Sequence, residues 1–194
     1  RYSFYGQREV DGVDAILRQN FGTTPAGIYR FSFNYARRPG NNQNACIWNA
    51  KVLKDGATVH SMKMGEIGNT AFLNKSVVVA LGAAGSYGVA FAHLSPNGDD
   101  RSSLLDDVHF TLSSVPGWSV LDGVVCLAGT AEVPAQSFVD GDAQIASGAT
   151  ISTYADRFLP SLRVDGDLVV KGPVVITLPE SYTTDEGTYK LIEA

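Results

Sequence analysis

The chain has 194 residues, of which 44% are hydrophobic and 18% are charged, and its net charge is −5. A chain of this size and composition can bury a sizeable core, so disorder is not expected. The negative charge is spread along the sequence without a block of Lys or Arg, which argues against nucleic acid as a partner. No run approaches the ~18 apolar residues of a membrane helix, and no signal segment opens the sequence, so we expect no contact with a membrane. Any export signal was either removed or never part of this sequence.

The first predicted strand covers residues 28–35. Its side chains alternate, with Tyr29, Phe31, Phe33 and Tyr35 on one side and polar residues on the other. A period of two is typical of a strand with one buried face, so we expect the four rings to point inward. Turn residues at 24–27 and loop residues at 38–42 give this strand clear ends.

Further strands follow at turn-bounded intervals of about 8 to 12 residues, which is the spacing of a β-sandwich. They are predicted at residues 46–53, 76–81, 87–94 and 108–112. The step Asp55-Gly56 lies between two strand-like runs and predicts a hairpin. In the last strand we expect Val108, Phe110 and Leu112 to face inward. The chain is therefore predicted to be all-β, with a jelly-roll β-sandwich over residues 1–113.

The composition changes after residue 113, where short aliphatic strands replace the aromatic ones, so we place a second domain at residues 114–194. The segment 139–142, Val-Asp-Gly-Asp, recurs at 164–167, and the polar and apolar order continues to Ile151 and Ile176. A weaker third copy is indicated at residues 121–126. Short strands repeating with Gly turns predict a short β-solenoid-like segment.

The two cysteines, Cys46 and Cys126, lie far apart and fit neither a disulfide framework nor a metal motif. We expect both to be small buried hydrophobic residues, and a bridge between them is the alternative.

The first half resembles the galactose-binding-like sandwich modules, a group that holds many carbohydrate-binding modules. The elements that carry the resemblance are residues 19–21, 25–35, 52–56 and 105–108. The second half is similar to the strand repeats of bacterial autotransporter passengers, including their ending at residues 187–192. Together the resemblances imply an exported bacterial surface or secreted protein, extracellular in location.

The resemblance also implies two finer features. Family modules open with a further strand, which this sequence lacks before Phe4, so we expect strand pairing with another chain or a missing segment. Asp106 matches an aspartate that in several of these modules helps to hold a structural calcium ion, Ca²⁺. Its usual partner ligands lie in the absent opening segment, and Asp106 and Asp107 would equally end a loop before the last strand.

Sugars are bound by aromatic rings that stack on their C–H faces and by planar polar groups that reach their hydroxyls. One loop collects such residues, and from it we select as ligand-binding candidates Tyr35, Arg37, Arg38, Asn42 and Trp48. The competing interpretations are that the Asn residues only form turns and that Trp48 belongs to the core.

A second loop, at residues 97–101, offers Asp99, Asp100 and Arg101 as further ligand-binding candidates. Their carboxylates could serve sugar hydroxyls or Ca²⁺, and a solvated turn explains them equally well. His93 follows an inward-facing series and is expected to be a core or rim histidine.

No nucleophile beside a base, no metal-ligand spacing and no catalytic motif stands out in the sequence. We therefore expect a non-catalytic glycan-binding module rather than an enzyme. The competing hypothesis is a structural or adhesive segment of a large surface protein that binds no small ligand. An enzyme would need two carboxylates that only the fold brings together.

Overall fold

The computed structural model describes residues 4–6, 16–37, 46–67, 70–93, 103–153, 160–178 and 191–194. The regular elements within these ranges are strands, which confirms the all-β prediction. The first eight strands are β1 Phe4–Gly6, β2 Ile16–Thr24, β3 Gly27–Arg37, β4 Cys46–Lys54, β5 Ala57–Ile67, β6 Leu73–Leu81, β7 Gly85–His93 and β8 Ser103–Leu112. The later ones are β9 Trp118–Leu121, β10 Val124–Leu127, β11 Thr130–Val133, β12 Ser137–Asp140, β13 Ala143–Ile145, β14 Thr150–Thr153, β15 Leu162–Val164, β16 Leu168–Val170, β17 Val175–Thr177 and β18 Ile192–Glu193.

The chain forms two compact units that interleave along the sequence. The first contains Arg1–Thr24, Ser32–Lys75 and Gly85–His109, and the second contains Pro25–Phe31, Ser76–Ala84 and Phe110–Ala194. Strands β3, β6 and β8 therefore contribute residues to both units. A domain boundary after residue 113 stays a prediction.

Unit 1 contains an antiparallel sheet with the strand order β2-β7-β4-β5. Strands β4 and β5 are joined by the two-residue turn Asp55-Gly56, whose φ angles of 51° and 79° are those of a tight hairpin turn. The predicted hairpin is thus confirmed. Strands β1, β8, β3 and β6 lie side by side in that order in a second sheet.

The core of unit 1 joins these two sheets through an aromatic pair. Phe33 of β3 and Phe91 of β7 lie with ring centroids 4.9 Å apart and ring planes at 82°, and they are only 1% and 2% exposed. Edge-to-face geometry is favourable for aromatic rings because the positive edge of one meets the negative face of the other. The two sheets therefore pack face to face, and unit 1 is a β-sandwich.

The aromatic alternation of β3 is confirmed for Tyr29, Phe31 and Phe33, all of which are buried. Tyr35 is only half-buried, and the buried position near the strand end is Ala36. The inward series thus changes phase after Phe33, which is a departure from the prediction.

The prediction for the last sandwich strand is wrong at Leu112, which is 67% exposed, while Val108 and Phe110 are half-buried. The strand begins at Ser103 rather than at residue 108, and Asp107 within it has a left-handed backbone with φ of 56°. Leu112 is the last residue of the strand, and its side chain is not covered there as those of Val108 and Phe110 are.

Strand β2 was not predicted from the sequence. It pairs with β7 at the end of its sheet, and it carries exposed polar residues such as Gln19 and Asn20. An edge strand with one solvated side resembles a loop in composition, which explains the omission.

Unit 2 is built from three ladders of short parallel strands. They are β10-β13-β16, β11-β14-β17 and β12-β15-β18, and β6 pairs in parallel with β12. The ladders pair Val139 with Val164 and Ile151 with Ile176, residues that the sequence repeat aligned. A common core of aliphatic side chains runs through these ladders and includes Val125, Ile145 and Ile151.

The weaker third copy of the repeat begins differently from the other two. Strand β9 pairs antiparallel with β10 through the turn Asp122-Gly123. In β10 the buried residues are Val125 and Leu127, while Cys126 is half-buried and free. The prediction of a buried Cys126 is therefore wrong, and the Cys46 side chain lies outside the described residues.

Two glycines of unit 2 provide a matched test of this packing. Gly117 and Gly129 have φ angles of 79° and 60°, but a Cβ on Gly117 would lie 2.5 Å from the Ala131 Cα, whereas one on Gly129 would meet nothing within 4 Å. We expect Gly129→Ala to cost about 1–2 kcal/mol of unfolding free energy, because its backbone is left-handed. Gly117→Ala should cost about 1–3 kcal/mol more, because backbone must move. Urea unfolding of both variants checks this, and equal losses would contradict it.

Candidate functional site

Five of the predicted ligand-binding residues lie outside the described residues. They are Arg38, Asn42, Asp99, Asp100 and Arg101. The backbone of Trp48 lies in β4 opposite His93 of β7, but both side chains lie outside the described part of the chain. The assignment of these residues to a glycan site stays a prediction.

Tyr35 and Arg37 lie together at the end of β3, and both are half-buried. The Tyr35 ring lies 6.1 Å from that of Phe33, and burial raises the pKa of its hydroxyl above the ordinary value. Among the described residues the Arg37 Nε is buried and has no hydrogen-bond acceptor. An unsatisfied buried donor is costly, and an acceptor on a ligand would relieve that cost.

Asp106 is buried within β8, and its Oδ1 accepts the backbone N–H of Asp107 at 2.9 Å. Ca²⁺ requires six to eight oxygen ligands. The described residues contain no group of three or more His, Cys, Asp and Glu side chains placed to hold a metal ion. They do not make up a calcium site by themselves, and the predicted ion at Asp106 stays a prediction.

The structure brings together a different set of polar residues, which we call the polar row: Asn74 of β6, Asn34 of β3, and Asp107 and His109 of β8. The Asn74 Nδ2 donates to the Asn34 Oδ1 at 2.9 Å. The Asn34 Nδ2 donates to the Asp107 Oδ2 at 3.3 Å. The other oxygen of Asp107 lies 2.9 Å from the His109 Nε2. Two amides, a carboxylate and an imidazole are thus linked across three neighbouring strands.

The polar row faces water. The side chains of His109 and Asp107 are 55% and 56% exposed, and Asn74 is exposed as well. An asparagine amide has two donor hydrogens and two acceptor lone pairs, and a carboxylate has about four acceptor sites. Within the described part of the chain, the three contacts use only a fraction of this capacity. The remaining donors and acceptors are open to a ligand.

Local sequence explains how the row is positioned. Residues of a strand alternate between its faces, so burial of Phe33 directs its neighbour Asn34 to the opposite face. On β8, Leu105 and Asp106 are both buried and Asp107 is left-handed, which is the pattern of a β-bulge. Aspartate is among the few residues that tolerate this backbone region, and bulges re-aim side chains near functional sites.

The contact between His109 and Asp107 joins an imidazole to a carboxylate, with the His109 Nε2 2.9 Å from the Asp107 Oδ1. Both groups are solvated, so we expect the pair to contribute little to the free energy of folding. The contact instead holds the carboxylate and the imidazole in a fixed orientation. One Asp107 oxygen contacts Asn34 and the other contacts His109.

A carboxylate that holds an imidazole also forms part of a Ser-His-Asp triad. In the polar row the hydrogen bonds of the described residues join amides, a carboxylate and an imidazole, and none of them includes a hydroxyl or thiol nucleophile. The arrangement is suited to hydrogen-bonding a ligand. An exposed aromatic ring, Phe72 at 44% exposure, precedes Asn74 by two residues and offers an apolar surface nearby.

Sequence reasoning missed this row because its members are distant along the chain. Asn34 lies between the inward-facing rings of its strand and Asp107 is exposed, but neither position shows which strands are neighbours. Asn34 and Asp107 are separated by 73 positions, and Asn34 and Asn74 by 40. The order of β6, β3 and β8 in the sheet was needed to bring them together.

The fold and this exposed site define a β-sandwich with a polar surface, accompanied by stacked parallel strands. No family model matches the chain, and no curated protein matches it. Among solved structures, a domain described as "EclA C-terminal domain; sugar-binding protein" is similar with 11% identity and a TM-score of 0.40, over 57% of this chain and 77% of that one. Within the described residues, no helix has the length and apolar character needed to cross a membrane.

Proposed function

We propose that this chain is a non-catalytic carbohydrate-binding module of an exported bacterial surface or secreted protein. In this proposal unit 1 is a galactose-binding-like jelly roll whose ligand is a polysaccharide or glycan. The observation that carries the proposal is the polar row, in which Asn74, Asn34, Asp107 and His109 present planar polar groups on an exposed sheet.

The chemistry of the row matches that of a sugar. Each sugar hydroxyl can donate one hydrogen bond and accept others, and a carboxylate beside an amide supplies both partners to adjacent hydroxyls. Neighbouring strands lie about 4.8 Å apart, so a row across three strands spans about 10 Å. That length accommodates several hydroxyls of one sugar chain. The ring of Phe72 would provide a stacking surface for a C–H face.

The exposure of the row sets the expected strength of binding. A hydrogen bond exchanged with water contributes about 0.5–1.5 kcal/mol, and four of them correspond to dissociation constants of about 1 mM. Such weak sites are effective when several act on one polymer. The buried Nε of Arg37 would add a contact if the glycan extends toward the end of β3.

The test is native affinity electrophoresis through gels that contain soluble polysaccharides, chosen from the hits of a glycan array. Asp107→Asn keeps a residue that tolerates the left-handed backbone but removes the charge and one acceptor. We expect it to weaken binding about tenfold, equivalent to about 1.4 kcal/mol, because hydrogen bonds to charged groups are the stronger ones. Asn34→Ala should act similarly.

Thr58→Ala is the control, because Thr58 is an exposed residue of β5 outside the polar row. Polysaccharide in the gel should retard the Thr58→Ala variant as much as it retards the unmodified protein. The proposal fails if no polysaccharide retards the protein, or if Asp107→Asn and Asn34→Ala bind as tightly as Thr58→Ala.

A second candidate function is a structural or adhesive segment of a large surface protein, and the end of unit 2 favours it. All three ladders of unit 2 end in the same set of strands, β16, β17 and β18. In this proposal they form one end of a β-solenoid of the autotransporter-passenger type. Strand edges present unpaired donors and acceptors that can pair with another strand.

The side chains at this end support the same interpretation. Ile145 and Ile151 are buried, whereas their ladder partners Val170 and Ile176 are 52% and 39% exposed. Val175 is exposed as well, at 55%. A further set of strands stacked on this end would bury these aliphatic side chains, at about 25 cal/mol for each Å².

This candidate predicts self-association through the end strands. Sedimentation velocity over a concentration series should show oligomers that the double variant Val170→Lys, Val175→Lys abolishes, because the added charges cannot be buried without a partner. Leu112→Lys changes a residue of β8 that is 67% exposed and should leave association unchanged. A protein that is monomeric at every concentration would contradict the candidate.

A further inference from the structure

Unit 1 contains an open cavity of about 190 Å³, and none of the residues that line it belongs to the polar row. Its lining comes from three strands, β2, β7 and β8, and consists of Leu17, Arg18, Gln19, Val89, Phe91 and Val108. Since β2 and β7 belong to one sheet of the sandwich and β8 to the other, the cavity lies between the two sheets.

The strand register determines which side chains form the walls. Leu17 pairs with Phe91, and Gln19 pairs with Val89. Paired residues lie on the same face of a sheet, so these four share the inner face of the sandwich. Arg18 is also a lining residue, but it pairs with Ala90 and so alternates to the other face of the sheet. Gln19 is therefore the polar residue of the lining that lies on the inner face.

The walls are otherwise apolar. Val89 and Phe91 are buried, and Phe91 makes an edge-to-face contact with Phe33 of the opposite sheet. Leu17 and Val108 are half-buried and complete the apolar surface. Gln19 is exposed, and the described residues contain no hydrogen-bond partner for its side chain. It therefore lies at the opening with its amide available.

The volume of the cavity indicates the size of its ligand. Protein interiors contain few voids larger than a water molecule, because a void deprives its lining of packing contacts. An apolar cavity of about 150 Å³ stays free of water and accepts benzene. A space of about 190 Å³ with one amide at its opening is therefore matched to a single six-membered ring with one polar substituent.

We infer that this cavity binds a small ring compound of the phenol class, with its ring between Phe91, Val89 and Val108 and its hydroxyl on the Gln19 amide. The amide oxygen accepts the phenolic hydrogen, and the amide nitrogen donates to the phenolic oxygen. The site is distinct from the polar row and does not rest on the proposed glycan function.

The test is titration with phenol and, separately, with toluene, followed by ¹H–¹⁵N correlation spectra. Phenol should shift amide signals of the strands that line the cavity. Gln19→Leu should weaken phenol about tenfold through loss of its hydrogen bonds, and should leave toluene unchanged or bound more tightly. Gln19 is an exposed edge-strand residue, so this variant is expected to fold.

A steric pair provides the matched control. Val108→Phe places a ring into the cavity and should abolish binding of both compounds, whereas Leu112→Phe adds the same ring at an exposed position of β8 and should not. The inference is overturned if phenol shifts no signals or shifts only signals elsewhere, or if Gln19→Leu weakens phenol and toluene equally. It is also overturned if a folded Val108→Phe protein binds as the unmodified one does. Asp107→Asn should bind phenol normally, which separates this result from the outcome for glycans.

Discussion

The packing of Phe33 against Phe91 is the contact on which the sandwich depends. The two rings come from different sheets, and both are almost completely buried. Their edge-to-face geometry fixes the distance between the sheets at this point. Because strand residues alternate, burial of Phe33 also decides the direction of Asn34. One face of β3 thus contributes to the hydrophobic core and the other face contributes to the polar row. A change of register in β3 would disrupt both the core and the row.

Asp107 is the place where the structure departs from regular strand geometry. A left-handed backbone at a non-glycine residue costs about 1 kcal/mol or more of folding free energy. Such a conformation persists only where contacts with the surrounding structure hold it in place. Here Asp106 holds the Asp107 N–H, while Asn34 and His109 hold its carboxylate. The strained residue is also the centre of the polar row, and strain of this kind clusters at binding and active sites.

Local patterns were sufficient to predict several elements of this fold. The inward rings of β3, the hairpin at Asp55-Gly56 and the alignment of Val139 with Val164 each depend on short-range chemistry or on repetition, which a sequence displays directly. The polar row depends on which strands become neighbours, and that is decided by the packing of the whole sandwich. Leu112 was mispredicted because it ends its strand and is left uncovered, and Cys126 because the buried positions of β10 are Val125 and Leu127.

The most direct test of this account is a double-mutant cycle on the aromatic pair. Phe33→Leu, Phe91→Leu and the combined variant are compared with the unmodified protein by urea unfolding. If the rings hold the sheets together as described, the combined loss of unfolding free energy will differ from the sum of the single losses by about 0.5–1.5 kcal/mol. Strictly additive losses would show that the two rings do not interact and would contradict the account.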